Sequence, residues 1–270
     1  MNRRTILMFV LGVLVLLGLV AGLFTGSIVQ ALGKPQTMAN TQKTQQTQGK
    51  TNMPVANTPG TTPVNNNQPT PQNQQTNVLA TDTFQRQNQA LWGTASDGRQ
   101  WGGDANAKQA FSINGTKGQI AGGQGALDAV IGVTTDNVDI TMSGSINQFG
   151  NDVNFGAVLR WTDPNNWYKA FIDGNQLVIL RSVNGQKKII AHMDARTGAG
   201  VTQTIRFRSV GAMLFAKVWP SGTPEPQKWL IITDNTFTTG QFGIRVSEQP
   251  TTVITITSFN VTKATIGNGI

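Results

Sequence analysis

The 270-residue sequence contains no cysteine, one histidine (His192) and only two glutamates, Glu225 and Glu248. The lack of cysteine excludes disulfides, thiolate metal sites and a cysteine nucleophile. A single histidine excludes metal sites built from several imidazoles. Charged residues make up only 13% of the chain, whereas glycine contributes 30 residues. So little charge argues against a helical bundle, which is rich in Glu, Lys, Leu and Ala.

Positive charge is concentrated at the N-terminal end of the chain. The net charge is +8; residues 1–78 contain five basic residues and no acid, whereas residues 79–270 contain sixteen basic and thirteen acidic residues. The larger part of the chain is therefore only mildly basic. This distribution argues against nucleic acid as a partner, because nucleic-acid binding needs a strongly basic face on the folded domain.

An uncharged apolar run, residues 6–24, follows Arg3 and Arg4. As a helix, this run at ~1.5 Å per residue spans roughly 28 Å, close to the ~30 Å hydrocarbon core of a lipid bilayer. We therefore predict that residues 1–34 form a cytoplasmic stub and a transmembrane signal anchor. The chain would cross the cell membrane once, with its C-terminal domain extracellular. The alternative is cleavage near Ala31, which would give a secreted protein.

Residues 35–78 have the composition of a disordered linker. Thr, Gln, Asn and Pro make up 33 of these 44 residues, and the segment contains no aromatic and no acidic residue. Such a sequence cannot bury enough apolar surface to offset the entropy lost on folding. We expect it to hold residues 79–270 beyond the membrane surface.

Residues 79–270 alternate apolar and polar side chains. The alternation is regular in residues 138–142, 204–208 and 253–257, and a period of two is typical of half-buried strands. Turn sequences separate these segments. About a dozen short strands in this length predict one all-β domain, an antiparallel two-sheet sandwich.

Three segments also resemble a known family. Residues 82–101, 155–168 and 240–261 resemble the opening, the central hairpin and the last strand pair of concanavalin A-like, laminin-G-like jelly-roll domains of the bacterial cell-surface type. The resemblance spans residues 80–265 and implies a jelly-roll sandwich. Lectins, glycan hydrolases and adhesion modules share this fold, so the resemblance leaves the ligand open.

The residues argue against catalysis. The hydrolases of this family carry their paired carboxylates in a Glu-x-Asp-x-x-Glu strand, which this sequence lacks. Glu225 lies between two prolines, and Glu248 lies in a predicted turn. His192 is interpreted as a strand histidine at a sheet surface, and residues 122–125 as a loop rather than a phosphate cradle. The sequence therefore predicts no catalytic residue and a protein that is not an enzyme.

One set of basic and aromatic side chains is predicted to share an outward face, because these residues alternate with core residues such as Ile205 and Phe207. Aromatic rings stack on sugars, and guanidinium groups bind carboxylate, sulfate or phosphate. The alternative is a solvated face that uses charge to prevent aggregation. The candidate ligand-binding residues are Arg160, Trp167, Lys169, Arg181, Arg206, Arg208, Lys217 and Trp219.

Two further groups of residues have simpler interpretations. Trp92 and Trp101 lie among glycines and are expected to close the core. Asp136 and Asp163 offer oxygen ligands for calcium, but aspartates are also ordinary turn residues, so no metal and no cofactor is predicted beyond these weak calcium candidates.

The sequence favours a non-catalytic cell-surface module that binds a glycan or cell-wall polymer, including an acidic one. The alternative is a structural, adhesion or sensor ectodomain with a protein partner, and a glycoside hydrolase is a remote third.

Overall fold

Strands account for nearly all regular structure in the residues that the computed structural model describes, 77–150 and 152–265. The predicted signal anchor lies outside these residues, as does nearly all of the predicted linker. Within them, no helix has the length and hydropathy needed to span a bilayer. One short 3-10 turn, Asp104–Asn106, interrupts the strands.

The first sheet has nine strands, all paired antiparallel. Eight of them form its main path, and the ninth pairs only with the last strand of the chain. In order across the sheet the strands are β14 (Leu230–Thr233), β13 (Met213–Pro220), β12 (Gln203–Val210), β7 (Val138–Ile146), β16 (Val253–Lys263), β5 (Gly118–Ala121), β4 (Phe111–Ile113) and β2 (Gln89–Ala90), with β1 at Val78–Asp82.

The second sheet has seven strands, also antiparallel. In order they are β11 (Gln186–Asp194), β10 (Gln176–Val183), β9 (Asn166–Ile172), β8 (Asn154–Asp163), β15 (Gly240–Glu248), β6 (Gly125–Thr135) and β3 (Gly102–Gly103).

The two sheets enclose one hydrophobic core. Ile205 and Phe207 of β12 and Tyr168 and Ile172 of β9 belong to the same buried cluster. Burial of these alternating apolar side chains is the main force that holds the sheets face to face. The predicted architecture, an all-β antiparallel two-sheet sandwich, is confirmed.

Aromatic rings close the core near the start of the domain, as predicted for Trp92 and Trp101. Their ring centroids lie 4.9 Å apart in an edge arrangement, and Phe84 contacts both. The buried carboxylate of Asp82 accepts the indole N–H of Trp101 at 2.7 Å and an ion pair from Arg86 at 2.8 Å. The opening motif therefore stabilises the fold and lies away from the groove described below.

Candidate ligand-binding groove

The outward set predicted from the sequence does not share one face. In a sandwich, side chains that point away from the common core point in opposite directions in the two sheets. Strand alternation identifies the outward side of a strand but not the sheet to which the strand belongs, so the prediction of one face was wrong. The nine-stranded sheet carries Arg206, Arg208, Lys217 and Trp219, and the seven-stranded sheet carries Trp167 and Lys169.

Arg160 was also placed incorrectly on that face. It lies at an irregularity in the β8–β9 pairing and has a φ of 49°, which interrupts the alternation of side chains. Its guanidinium donates to the carbonyl oxygens of Phe237 at 2.6 Å and Gly211 at 2.5 Å, and burial lowers its pKa. Arg160 therefore fixes loops of its own chain.

Arg181 points toward the interior side of its sheet instead of outward. It pairs in register with the core residue Tyr168. Its guanidinium donates to Asp234 Oδ2 at 2.6 Å, while the Tyr168 hydroxyl donates to Asp234 Oδ1 at 2.5 Å. Burial alone would raise the pKa of Asp234, but hydrogen bonds from Tyr168 and Thr236 hold it below its usual value. Arg181 thus ties the segment after β14 to the seven-stranded sheet.

On the outer face of the nine-stranded sheet, the cations are paired with carboxylates. Asp139 of β7 receives Arg206 Nη2 at 2.6 Å and Arg208 Nε at 2.8 Å. Arg208 is almost fully buried. Hydrogen bonds to Asp139 raise the pKa of Arg206 despite its burial. These two arginines are therefore engaged within the protein.

A strap, defined here as residues 221–229, covers the same cations. Glu225 of the strap bonds Arg206 Nη1 and Lys217 Nζ, each at 2.8 Å. The ring of Trp229 lies 3.9 Å from Lys217 Nζ and 5.2 Å from the guanidinium carbon of Arg208. Burial would raise the pKa of Glu225, but the bonds from Lys217 and Arg206 keep it low. Contacts within the protein, from Glu225 and Trp229 of the strap, therefore already engage the cations Arg206, Arg208 and Lys217.

The outer face of the seven-stranded sheet contains an open groove of ≈640 Å³. Strands β6, β8, β9, β10, β11 and β15 contribute to it. Its floor and walls include Trp167, Lys169, Phe171, Val178, Leu180, Ile189 and Arg245, and its polar lining includes Asp152, Asn154, Asp173, Asn175, Gln176, Lys187 and Ser247. The predicted residues Trp167 and Lys169 are therefore brought together here, without the other six.

Lys169 lies in this groove with its side chain almost completely buried, at 4% exposure. Its Nζ donates to Asn154 Oδ1 and lies 4.8 Å from the centroid of the Phe171 ring. Burial, followed by the nearby charge of Arg245, lowers the pKa of Lys169 well below its usual value.

Arg245 of β15 lines the same groove as Lys169. Its guanidinium forms an ion pair with Asp128 of β6 and lies 4.4 Å from the Trp167 ring centroid. The Trp167 indole N–H donates to the Pro164 carbonyl oxygen at 2.8 Å. Because Trp167 is buried and already packs against Arg245, it forms part of the groove floor rather than a free stacking platform.

Buried polar atoms without a hydrogen-bond partner are concentrated in the seven-stranded sheet. In the described part of the chain they include Asp128 Oδ1, the Trp161 indole nitrogen and both carboxyl oxygens of Glu248. Burial raises the pKa of Glu248 to about 7 and also raises that of Asp128. Gly123 packs so closely that a Cβ there would lie 1.9 Å from Glu248 Oε1. The predicted glycine loop therefore covers a buried carboxyl group.

Asp136 and Asp163 use their carboxylates in turns. Asp163 accepts the Asn166 side-chain amide at 2.9 Å and the Asn165 backbone N–H at 2.7 Å, which lowers its pKa. Asp136 accepts the Asn137 backbone N–H at 2.7 Å, and this hydrogen bond lowers the pKa of Asp136. Within residues 77–150 and 152–265, no three His, Asp or Glu side chains cluster as metal ligands.

Sequence reasoning missed Arg245, Asp128 and Asn154, although all three contribute to the groove or its support. Arg245 stands between the core residues Ile244 and Val246, so alternation could have placed it outward. Its pairing with Asp128 depends on the contact between β15 and β6, which are far apart in the chain. His192 is exposed on edge strand β11, as the sequence indicated.

No protein-family model matches the chain, and no curated protein matches it significantly. Solved structures do match. Xylan β-1,4-xylosidase from Bacillus halodurans C-125 gives a TM-score of 0.53 at 10% identity over 68% of this chain, and the match spans only 39% of the xylosidase. A carbohydrate-binding module from Bacillus subtilis gives 0.45 at 15% identity, over 58% of this chain and 94% of the module. Lectin I-B4 from Griffonia simplicifolia gives a TM-score of 0.47 at 13% identity, over 69% of this chain and 100% of the lectin.

The strand pairing, together with the match to the xylosidase, defines a class of protein, the antiparallel β-sandwich. This is the fold type that the sequence resemblance indicated. At such low identity the similarity concerns the fold.

Proposed function

We propose that this domain is a non-catalytic module that binds a glycan, such as a cell-wall polymer, in the groove of the seven-stranded sheet. The groove itself carries the proposal. Phe171, Leu180 and Ile189 offer apolar surface, whereas Asn154 and Gln176 offer amide groups beside it. Sugars present both apolar ring faces and hydroxyl groups, and a concave site with few polar groups suits them.

The positions of the two glutamates support binding without catalysis. Glycoside hydrolysis uses two carboxyl groups that flank the scissile bond. Glu225 is bonded to Arg206 and Lys217 on the opposite sheet. Glu248 lies on the core side of β15, as Val246 does, and so points away from the groove. In the groove, Asp173 accepts the N–H groups of its own turn at 2.9 and 2.8 Å. We therefore favour a binding role over hydrolysis.

A protein partner has less support. An apolar docking face needs several exposed large side chains in one patch. In the described residues, the exposed large apolar side chains are spread over several segments: Val78, Val133, Ile189, Val201, Met213 and Ile231. Of these, Ile189 lines the groove.

A pair of matched substitutions tests the proposal. Ser247 and Ser145 are both half-buried strand serines, but Ser247 lines the groove and Ser145 lies on the outer face of the other sheet. Ser247→Trp should fill the groove and weaken polysaccharide binding by about tenfold or more, whereas Ser145→Trp should stay within about twofold. Affinity electrophoresis of the full-length chain in gels that contain neutral or acidic polysaccharides measures this. Binding to no polysaccharide, or equal effects of both substitutions, would contradict the proposal.

A further inference from the structure

The groove contains an ammonium group for which the protein provides few acceptors. An ammonium has three N–H donors, and Lys169 Nζ donates to Asn154 Oδ1 and packs against the Phe171 ring. No carboxylate in the described part of the chain forms an ion pair with it. A buried cation of this kind is costly unless an anion or additional acceptors complete its surroundings.

The charges that act most strongly on Lys169 come from two cations, Arg245 and Lys187, and one carboxylate, Asp128. From β15, Arg245 faces it but is already paired with Asp128 of β6. From β11, Lys187 adds a second cation to the groove lining. Asp173, which follows β9, accepts N–H groups of its own turn. Asp152, before β8, is an exposed residue of the groove lining.

We propose that the ligand of this groove carries an anionic group, a carboxylate, sulfate or phosphate, that docks on Lys169. This inference rests on the proposed function and adds the chemical class of the glycan. The Lys169 ammonium would donate to the anion with the N–H groups that Asn154 does not use. The ion pair between Arg245 and Asp128 would stabilise the floor of the groove.

The proton on Lys169 links binding to pH. Burial and the charge of Arg245 already hold the pKa of Lys169 well below its usual value, and an anion beside it would raise that pKa again. Binding should therefore take up protons wherever the free protein is partly deprotonated at Lys169. Affinity should fall as the pH rises through that range, since the bound state holds more protons than the free state. A neutral glycan would show no such linkage.

The test is calorimetric titration of the full-length chain with pairs of related polymers. Polygalacturonate and its methyl ester probe a carboxylate, dextran sulfate and dextran probe a sulfate, and poly(glycerol phosphate) and polyglycerol probe a phosphate. Each titration is run in two buffers of different ionisation enthalpy, which reports proton uptake in the unmodified protein. Lys169→Met removes the cation, and Lys188→Met removes an exposed cation of β11 that does not line the groove.

We expect the anionic member of at least one pair to bind about tenfold or more tightly than its neutral partner, with net proton uptake. Lys169→Met should abolish this preference, whereas Lys188→Met should retain it. Equal affinity for charged and neutral partners without proton uptake would overturn the anion proposal. In that outcome, continued sensitivity to Ser247→Trp would leave glycan binding in the groove intact. Failure of every polymer to bind would overturn both.

If Lys169→Met lowers the melting temperature by many degrees, the proton uptake of the unmodified protein decides the question. That measurement needs no substitution.

Discussion

The two outer faces of the sandwich use similar residues for different purposes. On the nine-stranded sheet, Arg206 and Arg208 share Asp139, and the strap adds Glu225 and Trp229. On the seven-stranded sheet, Lys169 has an amide oxygen and an aromatic ring but no carboxylate ion pair in the described chain. The first face is neutralised and covered, and the second is an open groove. Outward Arg, Lys and Trp residues therefore do not by themselves indicate a binding site.

The same contrast holds for buried carboxyl groups. Asp139 is surrounded by guanidinium donors, whereas Asp128 keeps one buried oxygen without a hydrogen bond and Glu248 keeps two. Buried polar groups without partners reduce stability, so native proteins contain few of them. Asp128 supports the groove through its ion pair with Arg245, whereas Glu248 lies on the core side of β15.

The largest expected effect comes from removing the shared carboxylate of the covered face. Asp139→Ala leaves Arg206 and Arg208 without their central partner. Breaking a buried ion pair costs about 3–5 kcal/mol, so the free energy of unfolding in urea should fall by about that amount. Lys108→Ala is the control: its ion pair with Asp104 at 3.2 Å has a half-exposed lysine and should be worth about 1 kcal/mol or less. Equal losses for both variants would show that the covered face is not held by its charges.

The two glutamates, Glu225 of the strap and Glu248 of β15, should give opposite pH dependences. In the folded state the pKa of Glu248 is about 7, above its ordinary value of 4.5. The protonated carboxyl therefore makes its full contribution to the free energy of unfolding below about pH 4.5. This contribution is lost as the pH rises toward 7. Glu248→Gln should remove this loss and stabilise the protein at neutral pH by up to about 3 kcal/mol. Melting temperatures measured from pH 4 to 8 would test this.

Glu225 provides the matched comparison for that pH series. Its pKa is lowered in the folded protein by Lys217 and Arg206, so its contribution to stability is present at neutral pH and is lost on acidification. Glu225→Gln should destabilise at neutral pH and flatten the acid side of the curve. If Glu248→Gln instead lowered stability at pH 7, the interaction of the Gly123 backbone N–H with the ionised carboxyl would outweigh the cost of its burial.

The sequence was sufficient for the fold and for much of the core. Regular alternation in 204–208 correctly placed Ile205 and Phe207 inside, because a period of two is a local property of each strand. Trp92 and Trp101 could be predicted as buried for a similar reason, since large aromatic residues beside glycines close cores. These inferences require no knowledge of which strands pair.

The site depends on pairing between distant segments, and there the sequence was insufficient. β12 lies beside β7, about 65 residues earlier, and β15 lies beside β6, more than 100 residues earlier. These contacts decide that Arg206 meets Asp139 and that Arg245 meets Asp128. Arg160 was misplaced because its positive φ is a local departure from alternation that no residue pattern announced.

The central claim is that the groove, and not the covered basic face, binds an acidic glycan. Titration of the acidic polymer that binds the unmodified protein most tightly into Lys169→Met and Arg206→Met in parallel tests it most directly, with melting curves to verify folding. Lys169→Met should weaken binding by about tenfold or more, and Arg206→Met by less than about twofold. The reverse result, in which Arg206→Met binds the polymer more weakly and Lys169→Met binds it as the unmodified protein does, would contradict the account. It would place the binding site on the nine-stranded sheet.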